Sequence, residues 1–401
     1  MTTATDPAVL ASAERSSFDL RPLLAANMAC TMALMAFVSL IGPIARTLGL
    51  ATWQAGTAVT VAGVVWMLLA RPWGQASDRL GRRKVLLLGT AGFTAAYWAL
   101  CLFIDTALHL LPSAALAFAG LVLGRGLIGA FYAALPVGGA ALIADNIEPR
   151  HRARAMASLG AANAVGLVIG PALAAVLARY SLSLPFYVMA VLPMLAFVLL
   201  FKLKRQELHL QQTPRPVRLA DPRLRRPLLV AFVAMLSVSV AQITVGFFAL
   251  DRLGMAPADA AQTAGVALTM VGVALILAQI LVRKLEWPPL RMIRVGASIA
   301  AVGFAASALA SSAVGLWACF FVSACGMGWV FPAFSALAAN AMDASEQGAT
   351  AGSIGAVQGL GVVIGPLAGT LIYAVDPRLP YLIVAALLLL VGLWPQPKKP
   401  A

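Results

Sequence analysis

Long apolar runs alternate along the chain with short segments that hold most of its charged residues. Each run can supply the ~20 apolar residues that an α-helix needs to cross a bilayer. Twelve such runs are present, which predicts an all-α integral membrane fold with twelve transmembrane helices. The predicted spans are 23–48, 53–73, 85–104, 113–143, 156–178 and 184–203, followed by 227–250, 262–282, 290–311, 313–341, 350–374 and 379–395.

The segment between the sixth and seventh spans differs from its surroundings. Residues 204–226 are polar, basic and rich in proline, a composition typical of a linker. The chain is therefore predicted to form two six-helix bundles, residues 23–203 and 227–395, with tails at 1–22 and 396–401. The first 22 residues contain acids and no apolar core, so we do not interpret them as a signal peptide.

The composition indicates that lipid is the solvent of this protein. Apolar residues make up 61% of the chain and charged residues 11%, whereas a soluble domain has roughly 45–50% and about 25%. The four cysteines all fall inside apolar runs, which is typical of buried thiols. The three histidines are scattered and no Walker loop occurs, so neither a metal site nor an ATP site is predicted, and no cofactor is expected.

The basic residues are distributed unevenly between the loops. Of the 29 Lys and Arg residues, 24 lie on the side that holds both predicted tails, four lie on the opposite side and one, Arg125, lies within a span. Basic loops stay in the cytoplasm, so both termini and the linker are predicted to be cytoplasmic. The same asymmetry explains the net charge of +14 without a nucleic-acid partner.

A charged motif lies between the second and third predicted spans. Residues 74–84 read GQASDRLGRRK, which also fits an ordinary positively charged cytoplasmic loop. The spacing Gly-x-x-x-Asp-Arg-x-Gly-Arg-Arg-Lys resembles the loop between the second and third helices of the major facilitator superfamily of membrane transporters. The residues that carry the resemblance are Gly74, Asp78, Arg79, Gly81, Arg82 and Arg83.

The resemblance extends over the chain from about residue 22 and is to the twelve-helix drug–proton antiporter branch. It implies a monomeric transporter of the inner membrane, not an enzyme, that exports a small amphipathic compound in exchange for protons by alternating access. Two alternatives on the same fold are an exporter of an endogenous metabolite or siderophore and an importer of a small organic anion. A non-transporting sensor is disfavoured because no loop is longer than the linker.

The two predicted bundles contain a repeat. Residues 160–171 (GAANAVGLVIGP) and 355–366 (GAVQGLGVVIGP) agree at seven of twelve positions, in the fifth and eleventh spans. Glycines spaced in this way let helices approach closely, and proline removes a backbone hydrogen bond, so these stretches are either packing surfaces or bendable helices between the halves. The hinge candidates are Gly166, Gly170, Pro171, Gly361, Gly365 and Pro366.

Arg125 lies near the middle of the fourth predicted span. An arginine at that depth costs at least ~2.5 kcal/mol unless it faces a wet cavity or a partner. The sequence Arg125-x-x-x-Gly129 resembles the fourth-helix motif of the superfamily, which the resemblance ties to proton coupling. No acid lies in the middle of a predicted span, and the nearest are Asp145, Asp251 and Asp105. Two interpretations are compatible with this pattern. In the first, proton coupling depends on the cytoplasmic acids, Asp145 among them. In the second, Arg125 binds an anionic substrate.

A cytoplasmic gate is also predicted. The resemblance places Asp78 near the start of the eleventh span, where a carboxylate can cap a helix N-terminus. Asp343 and Glu346 precede that span and would face the basic loops of the first half. Such charges either hold the two halves together at the cytoplasmic side or lie in solvated loops. In solvated loops each ion pair contributes ~0–1 kcal/mol to stability. The candidates for lining a central cavity are Asn27, Asn163, Gln242, Gln358, Phe131, Tyr132 and Trp329.

Overall fold

The computed structural model describes residues 18–147, 149–203, 221–285, 287–342 and 347–394, with backbone alone for 149–154, 157, 283–285, 347–349 and 351. Within these ranges the chain forms thirteen α-helices and no β-strand. They are α1 (Arg21–Thr47), α2 (Thr52–Leu80), α3 (Arg82–Leu110), α4 (Ala114–Tyr132), α5 (Ala134–Asn146), α6 (Pro149–Leu177), α7 (Leu184–Leu200), α8 (Arg225–Asp251), α9 (Pro257–Leu285), α10 (Pro289–Ser307), α11 (Ala313–Asn340), α12 (Gln347–Val375) and α13 (Leu379–Leu393).

The helices follow the predicted spans, and the all-α membrane fold is confirmed. Helices α4 and α5 together form the fourth span, because the chain is irregular only at Ala133, whose N–H still bonds the Gly129 carbonyl. Ten helical segments of the described chain, with α4 and α5 taken as one, are long and apolar enough to cross a bilayer. The other two, α7 and α13, are apolar but have 17 and 15 residues. Short spans of this kind are accommodated by local bilayer thinning.

The charged turn between α2 and α3 is shorter than the sequence pattern predicts. Helix α2 continues to Leu80, so Gly74 and Asp78 lie in its last turns rather than in a loop. Only Gly81 separates the two helices, and its φ of 91° is a conformation that glycine adopts without steric cost. A helix can extend past its apolar segment because its charged last turns are solvated by water and headgroups. For the same reason Asp105, expected just outside the third span, lies within α3.

The two halves repeat the same helix pairings. Helix α1 packs on α6 and α7, as α8 packs on α12 and α13, and α2 packs on α4 as α9 packs on α11. Helix α3 pairs with α7 in the way that α10 pairs with α13. The structure is therefore built from two pseudo-symmetric six-helix bundles, as predicted. Helix α8 begins at Arg225, two residues inside the segment assigned to the linker.

Two ends of the molecule are distinguished below. The basic end is the end where α1 begins and α13 terminates, and it carries Arg82, Arg83 and Arg226. There Arg226 donates to the carbonyl of Trp394 at 3.1 Å, which ties the start of α8 to the end of α13. The far end is the opposite one, where α1 and α8 terminate at Thr47 and Asp251.

Candidate functional site

Arg82 connects two helices at the basic end. Its Nε donates to Oδ2 of Asp145, on α5, at 2.8 Å, and its Nη1 contacts the carboxylate of Asp78, on α2. The Arg82 and Asp145 side chains are 11% and 15% exposed, whereas Asp78 is 58% exposed. The other oxygen of Asp145, Oδ1, is buried and has no hydrogen-bond partner within the described chain. Asp145 is thus a largely buried carboxylate that is held on one oxygen by the Arg82 guanidinium.

The remaining residues predicted for the gate also contact their own half. Arg83 donates to the carbonyl of Phe201 at 2.9 Å and lies 5.8 Å from that ring, which fastens α3 to the end of α7. Arg79 is exposed, and Gly74 packs near Val137 on α5. The predicted partners Asp343 and Glu346 lie outside the described residues. The latch between the halves at this end therefore stays a prediction.

The halves are joined at the far end by an ion pair that the sequence analysis did not identify. The Arg46 guanidinium lies 2.5 Å from Oδ2 of Asp251, and the Tyr373 hydroxyl donates to the same oxygen at 3.1 Å. Close by, α1 crosses α8 so tightly that a Cβ added to Gly42 would lie 2.9 Å from the backbone of Gly246. The signal available in the sequence was the scarcity of charge on this side, which made each charged residue there a candidate for pairing.

Two further helix pairs connect the halves, and each uses one proline of the repeat. A Cβ added to Gly56 on α2 would lie 2.6 Å from the carbonyl oxygen of Pro366, and one added to Gly265 on α9 would lie 2.6 Å from that of Pro171. Helices α2 and α9 occupy equivalent places in their bundles, so these contacts are related by the pseudo-symmetry. The Thr60 hydroxyl adds a hydrogen bond of 2.9 Å to the carbonyl of Val363. Both repeat prolines therefore lie at the interface between the halves.

The repeat glycines have a different position. On α6, a Cβ added to Gly166 would lie 2.9 Å from a carbonyl oxygen of α1, and one added to Gly170 would lie 2.6 Å from another. On α12, a Cβ added to Gly361 would lie 2.9 Å from an atom of α8, and one added to Gly365 would lie 2.6 Å from another. These four glycines thus allow close packing of the fifth helix on the first helix within each bundle. Their geometry supports the packing interpretation, and bending of α6 and α12 stays a prediction.

Close contacts between the halves are found from the far end to the middle of the molecule. The contact between α2 and α12 reaches Trp66, which lies 3.7 Å from the position of a Cβ on Gly359. Further along the same face of α12, a Cβ on Gly355 or Gly352 would meet no atom of the described residues within 4 Å, and the same holds for Gly160 on α6. Among the described residues, the close contacts between the halves therefore lie at the far end and in the middle of the molecule.

Three of the cavity candidates meet in a polar cluster on the first half. The Asn27 amide, on α1, donates to Oδ1 of Asn163, on α6, at 2.5 Å. The Thr31 hydroxyl donates to the same oxygen at 2.9 Å and lies 3.5 Å from the hydroxyl of Tyr132, on α4. We call Asn27, Thr31, Tyr132 and Asn163 the polar quartet. It links three helices of the first bundle through hydrogen-bonding side chains.

The other cavity candidates are not part of this cluster. Phe131 packs against Gly92 on α3 and lies 6.3 Å from the Trp73 ring. Trp329 is 8% exposed and makes an edge contact with Trp287 at 5.3 Å, so it belongs to the packing of α11. Gln242 and Gln358 are half-buried on the second half, and no hydrogen bond within the described chain joins them to the quartet. The structure brings the candidates together on one bundle only.

Arg125 is deeply buried, as its position in the fourth span predicts. The residue is 4% exposed, its guanidinium carbon lies 4.4 Å from the centre of the Phe37 ring, and its Nε and Nη1 have no hydrogen-bond partner in the described part of the chain. Gly129 lies against the carbonyl of Ala62, and any side chain at this position would overlap that carbonyl. The glycine therefore allows α4 to pack closely on α2. Arg125 therefore presents a buried positive charge without a carboxylate.

A groove of about 520 Å³ lies between the start of α8 and α12 at the basic end. Hydrogen bonds from Arg223 hold the pKa of Asp221, at its rim, below the ordinary value of an aspartate. The described residues contain no group of three or more metal-ligating side chains. The residues lining the groove are Asp221, Pro222, Arg225, Leu228, Leu229, Phe232, Val357 and Leu360.

Comparison with known sequences gives a family and several relatives. Residues 23–366 match the model of the Major Facilitator Superfamily. The chain is 28% identical over 342 residues to the class C tetracycline resistance protein of Escherichia coli, with 80% of each chain covered. It is 25% identical over 367 residues to multidrug resistance protein 2 of Bacillus subtilis, covering 86% of this chain and 87% of the relative.

Comparison with solved structures shows the same fold. A bacterial homologue of the human lysosomal transporter Spinster, solved in an inward-facing and unoccupied conformation, superimposes with a TM-score of 0.74 at 15% identity, covering 93% of this chain and 95% of that one. A bacterial homologue of the iron transporter ferroportin, solved in an inward-facing state, gives a TM-score of 0.70 at 17% identity, with 93% and 96% covered.

Proposed function

This chain belongs to the Major Facilitator Superfamily, and on that premise we propose that it exports a small amphipathic, drug-like compound in exchange for protons. It is a multi-pass membrane transporter, and the proposal concerns its cargo, its direction and its driving ion. The observation that carries the proposal is the position of the contacts between the halves, which among the described residues run from the far end to Trp66 and Gly359. Such a structure is one of the two end states that alternating access requires.

We assign the basic end to the cytoplasm of a cell whose inner membrane holds the protein. The support is the distribution of charge, since 24 of the 29 basic residues lie on that side. In this orientation the joined far end faces away from the cytoplasm, and we infer that an exporter loads its cargo from the basic end. The cargo would enter beside the polar quartet. Names of relatives, which refer to tetracycline resistance and multidrug resistance, support an amphipathic drug-like cargo.

Asp145 is the group that we propose releases protons to the cytoplasm. Its Oδ2 is bonded to Arg82, while its buried Oδ1 lacks a partner in the described chain. A proton on Oδ1 would neutralise the carboxylate and weaken its bond to Arg82, because a charged acceptor binds a guanidinium more strongly than a neutral one. Protonation would thereby loosen the contact between α3 and α5 at the basic end, which is where the halves must close in the opposite state.

Transport into everted membrane vesicles tests this function. Vesicles with overexpressed protein are energised by respiration, and uptake of tetracycline and of ethidium is followed by fluorescence. We expect uptake of at least one probe that collapses when a protonophore is added and is absent from vesicles without the protein. Uptake that ignores the proton gradient would contradict the exchange with protons. Uptake found only in right-side-out vesicles would identify an importer, and an exporter of metabolites would move neither probe.

A further inference from the structure

We propose that Arg125 is an anion-binding site and that the cargo carries the anionic group which fills it. This inference rests on the proposed function and adds the chemical class of the cargo, an amphipathic compound with a carboxylate or a similarly delocalised anion. It starts from a side chain that is 4% exposed and has two nitrogens, Nε and Nη1, that are buried without an acceptor in the described chain.

Within the described chain, the surroundings of Arg125 supply an aromatic face but no counter-charge. The Phe37 ring lies beneath the guanidinium at 4.4 Å, an arrangement that stabilises the cation through the ring face. That contact leaves the N–H groups unsatisfied, because they point outward in the guanidinium plane. The neighbouring Tyr97 hydroxyl donates its proton to the carbonyl of Ala33 at 3.0 Å. Its phenol is neutral, so it supplies no negative charge.

The nearest acids on these helices are far away and already paired. Asp105 lies eight residues beyond Tyr97, or about 12 Å along α3, and accepts a hydrogen bond from Tyr187 at 2.9 Å. Asp145 lies twenty residues beyond Arg125, or about 30 Å along α4 and α5, and is bonded to Arg82. Neither can neutralise Arg125 in this conformation.

A buried guanidinium without a carboxylate is unfavourable, and a bound anion relieves that cost. Two adjacent N–H groups of a guanidinium match the two oxygens of a carboxylate, so an anion with this geometry gains the strongest hydrogen bonds available to the site. In apolar surroundings these bonds are stronger than in water. An arginine retained at this depth is by itself an indication of function in a membrane protein.

The polar quartet places hydrogen-bonding groups between the basic end and Arg125. Thr31 precedes Phe37 by six residues on α1, and Tyr132 follows Arg125 by seven on α4, which corresponds to about 9–10 Å toward the basic end. An amphipathic anion entering from that end would meet the amides and hydroxyls of the quartet first. Its anionic group would then reach the guanidinium, and its apolar part would contact the neighbouring aromatic rings.

Thermal unfolding of the purified full-length protein with matched pairs of ligands tests the inference. The probes are 2-naphthoate and its neutral amide, and salicylate and salicylamide, each with sodium chloride as a separate arm. The variants are Arg125→Gln, which removes the positive charge, and Arg125→Lys, which keeps the charge but lacks the planar guanidinium group. The control is Arg252→Gln, which removes an exposed arginine at the far end.

We expect at least one carboxylate, and neither amide, to raise the Tm of the wild-type protein and of the control. The apparent affinity for that carboxylate should fall at least about tenfold in Arg125→Gln and less in Arg125→Lys. Without ligand, Arg125→Gln should unfold at the same or a higher temperature than the wild type, because it removes an unpaired buried charge. A purely structural arginine would lower the Tm when replaced.

Three results would overturn the inference. Stabilisation by chloride alone, with no added effect of carboxylates, would show that an inorganic anion supplies the charge. Equal stabilisation by acid and amide, or no stabilisation by either, would show that Arg125 does not select anions. Persistence of the carboxylate effect in both Arg125 variants would place the anion elsewhere. Each outcome is separate from failure of the proposed function, because proton-dependent uptake of tetracycline would survive all three.

Discussion

The guanidinium of Arg46, near the end of α1, lies 2.5 Å from a carboxylate oxygen of Asp251 at the end of α8, and this ion pair joins the two bundles at the far end. It is the one salt bridge between the halves among those within the described residues. Tyr373 of α12 donates to the same carboxylate, so three helices meet there. The far end can open only if this group of contacts breaks.

Removal of this ion pair should favour the state that is open at the far end. The Arg46 and Asp251 side chains are 38% and 29% exposed, and a pair of this exposure contributes ~1 kcal/mol or less. Asp251→Asn should therefore shift the equilibrium between the two states by up to about fivefold. Accessibility of a single cysteine at the far end to a charged thiol reagent measures the shift. The exchanged pair Arg46→Asp with Asp251→Arg should restore the wild-type accessibility, and failure of that rescue would argue against direct pairing.

Alanine substitutions in the repeat should separate packed glycines from open ones. Gly170→Ala and Gly365→Ala should destabilise the protein by ~1–3 kcal/mol, because the new methyl groups would overlap atoms of α1 and α8. The matched controls Gly160→Ala and Gly355→Ala have open space, and alanine favours the helix by roughly 0.5–1 kcal/mol. Unfolding in detergent measures both pairs. Equal effects at all four positions would contradict the close packing of α6 on α1 and of α12 on α8.

The Arg82 cluster should show a graded response to neutralisation. Asp145→Asn should destabilise the basic end more than Asp78→Asn does, since Asp145 is 15% exposed and Asp78 is 58% exposed. The latter change should cost at most ~1 kcal/mol of stability. If Asp78 also latches the halves, Asp78→Asn should abolish net transport while expression stays normal. Wild-type uptake by vesicles that contain this variant would discard the latch.

The polar quartet should couple the stabilities of α1 and α6. A double-mutant cycle with Asn27→Ala and Asn163→Ala should give an interaction energy of about 0.6 kcal/mol, as is usual for hydrogen bonds between helices in membranes. The same single variants should lower the transport rate of the probe in everted vesicles, because we propose that the cargo enters beside the quartet. Additive effects on stability would show that the two amides do not interact.

The sequence was sufficient for the architecture because the bilayer imposes long apolar runs on every span. It also identified the repeat, whose glycines and prolines meet equivalent neighbours in the two halves. It could not identify partners that are distant in the chain. Arg46 and Asp251 are 205 positions apart and meet only through the crossing of α1 and α8 at Gly42.

Side-chain direction was the second quantity that the sequence did not supply. Phe131 and Tyr132 are neighbours in the chain, yet the first fills the space beside Gly92 and the second joins the polar quartet. Trp329 was a cavity candidate because of its residue type, and the structure places it against Trp287. Successive residues on a helix are separated by about 100°, so a motif that names adjacent residues does not say which of them faces a cavity.

Distances between spin labels at the two ends test the account most directly. One pair replaces Thr47 and Arg252 at the far end, and the other replaces Arg79 and Arg225 at the basic end, all four being exposed. The labels are placed in a background without the four free cysteines. Alternating access predicts that conditions which lengthen the far-end distance shorten the basic-end distance. Two distances that stay constant, or that lengthen together, would contradict it.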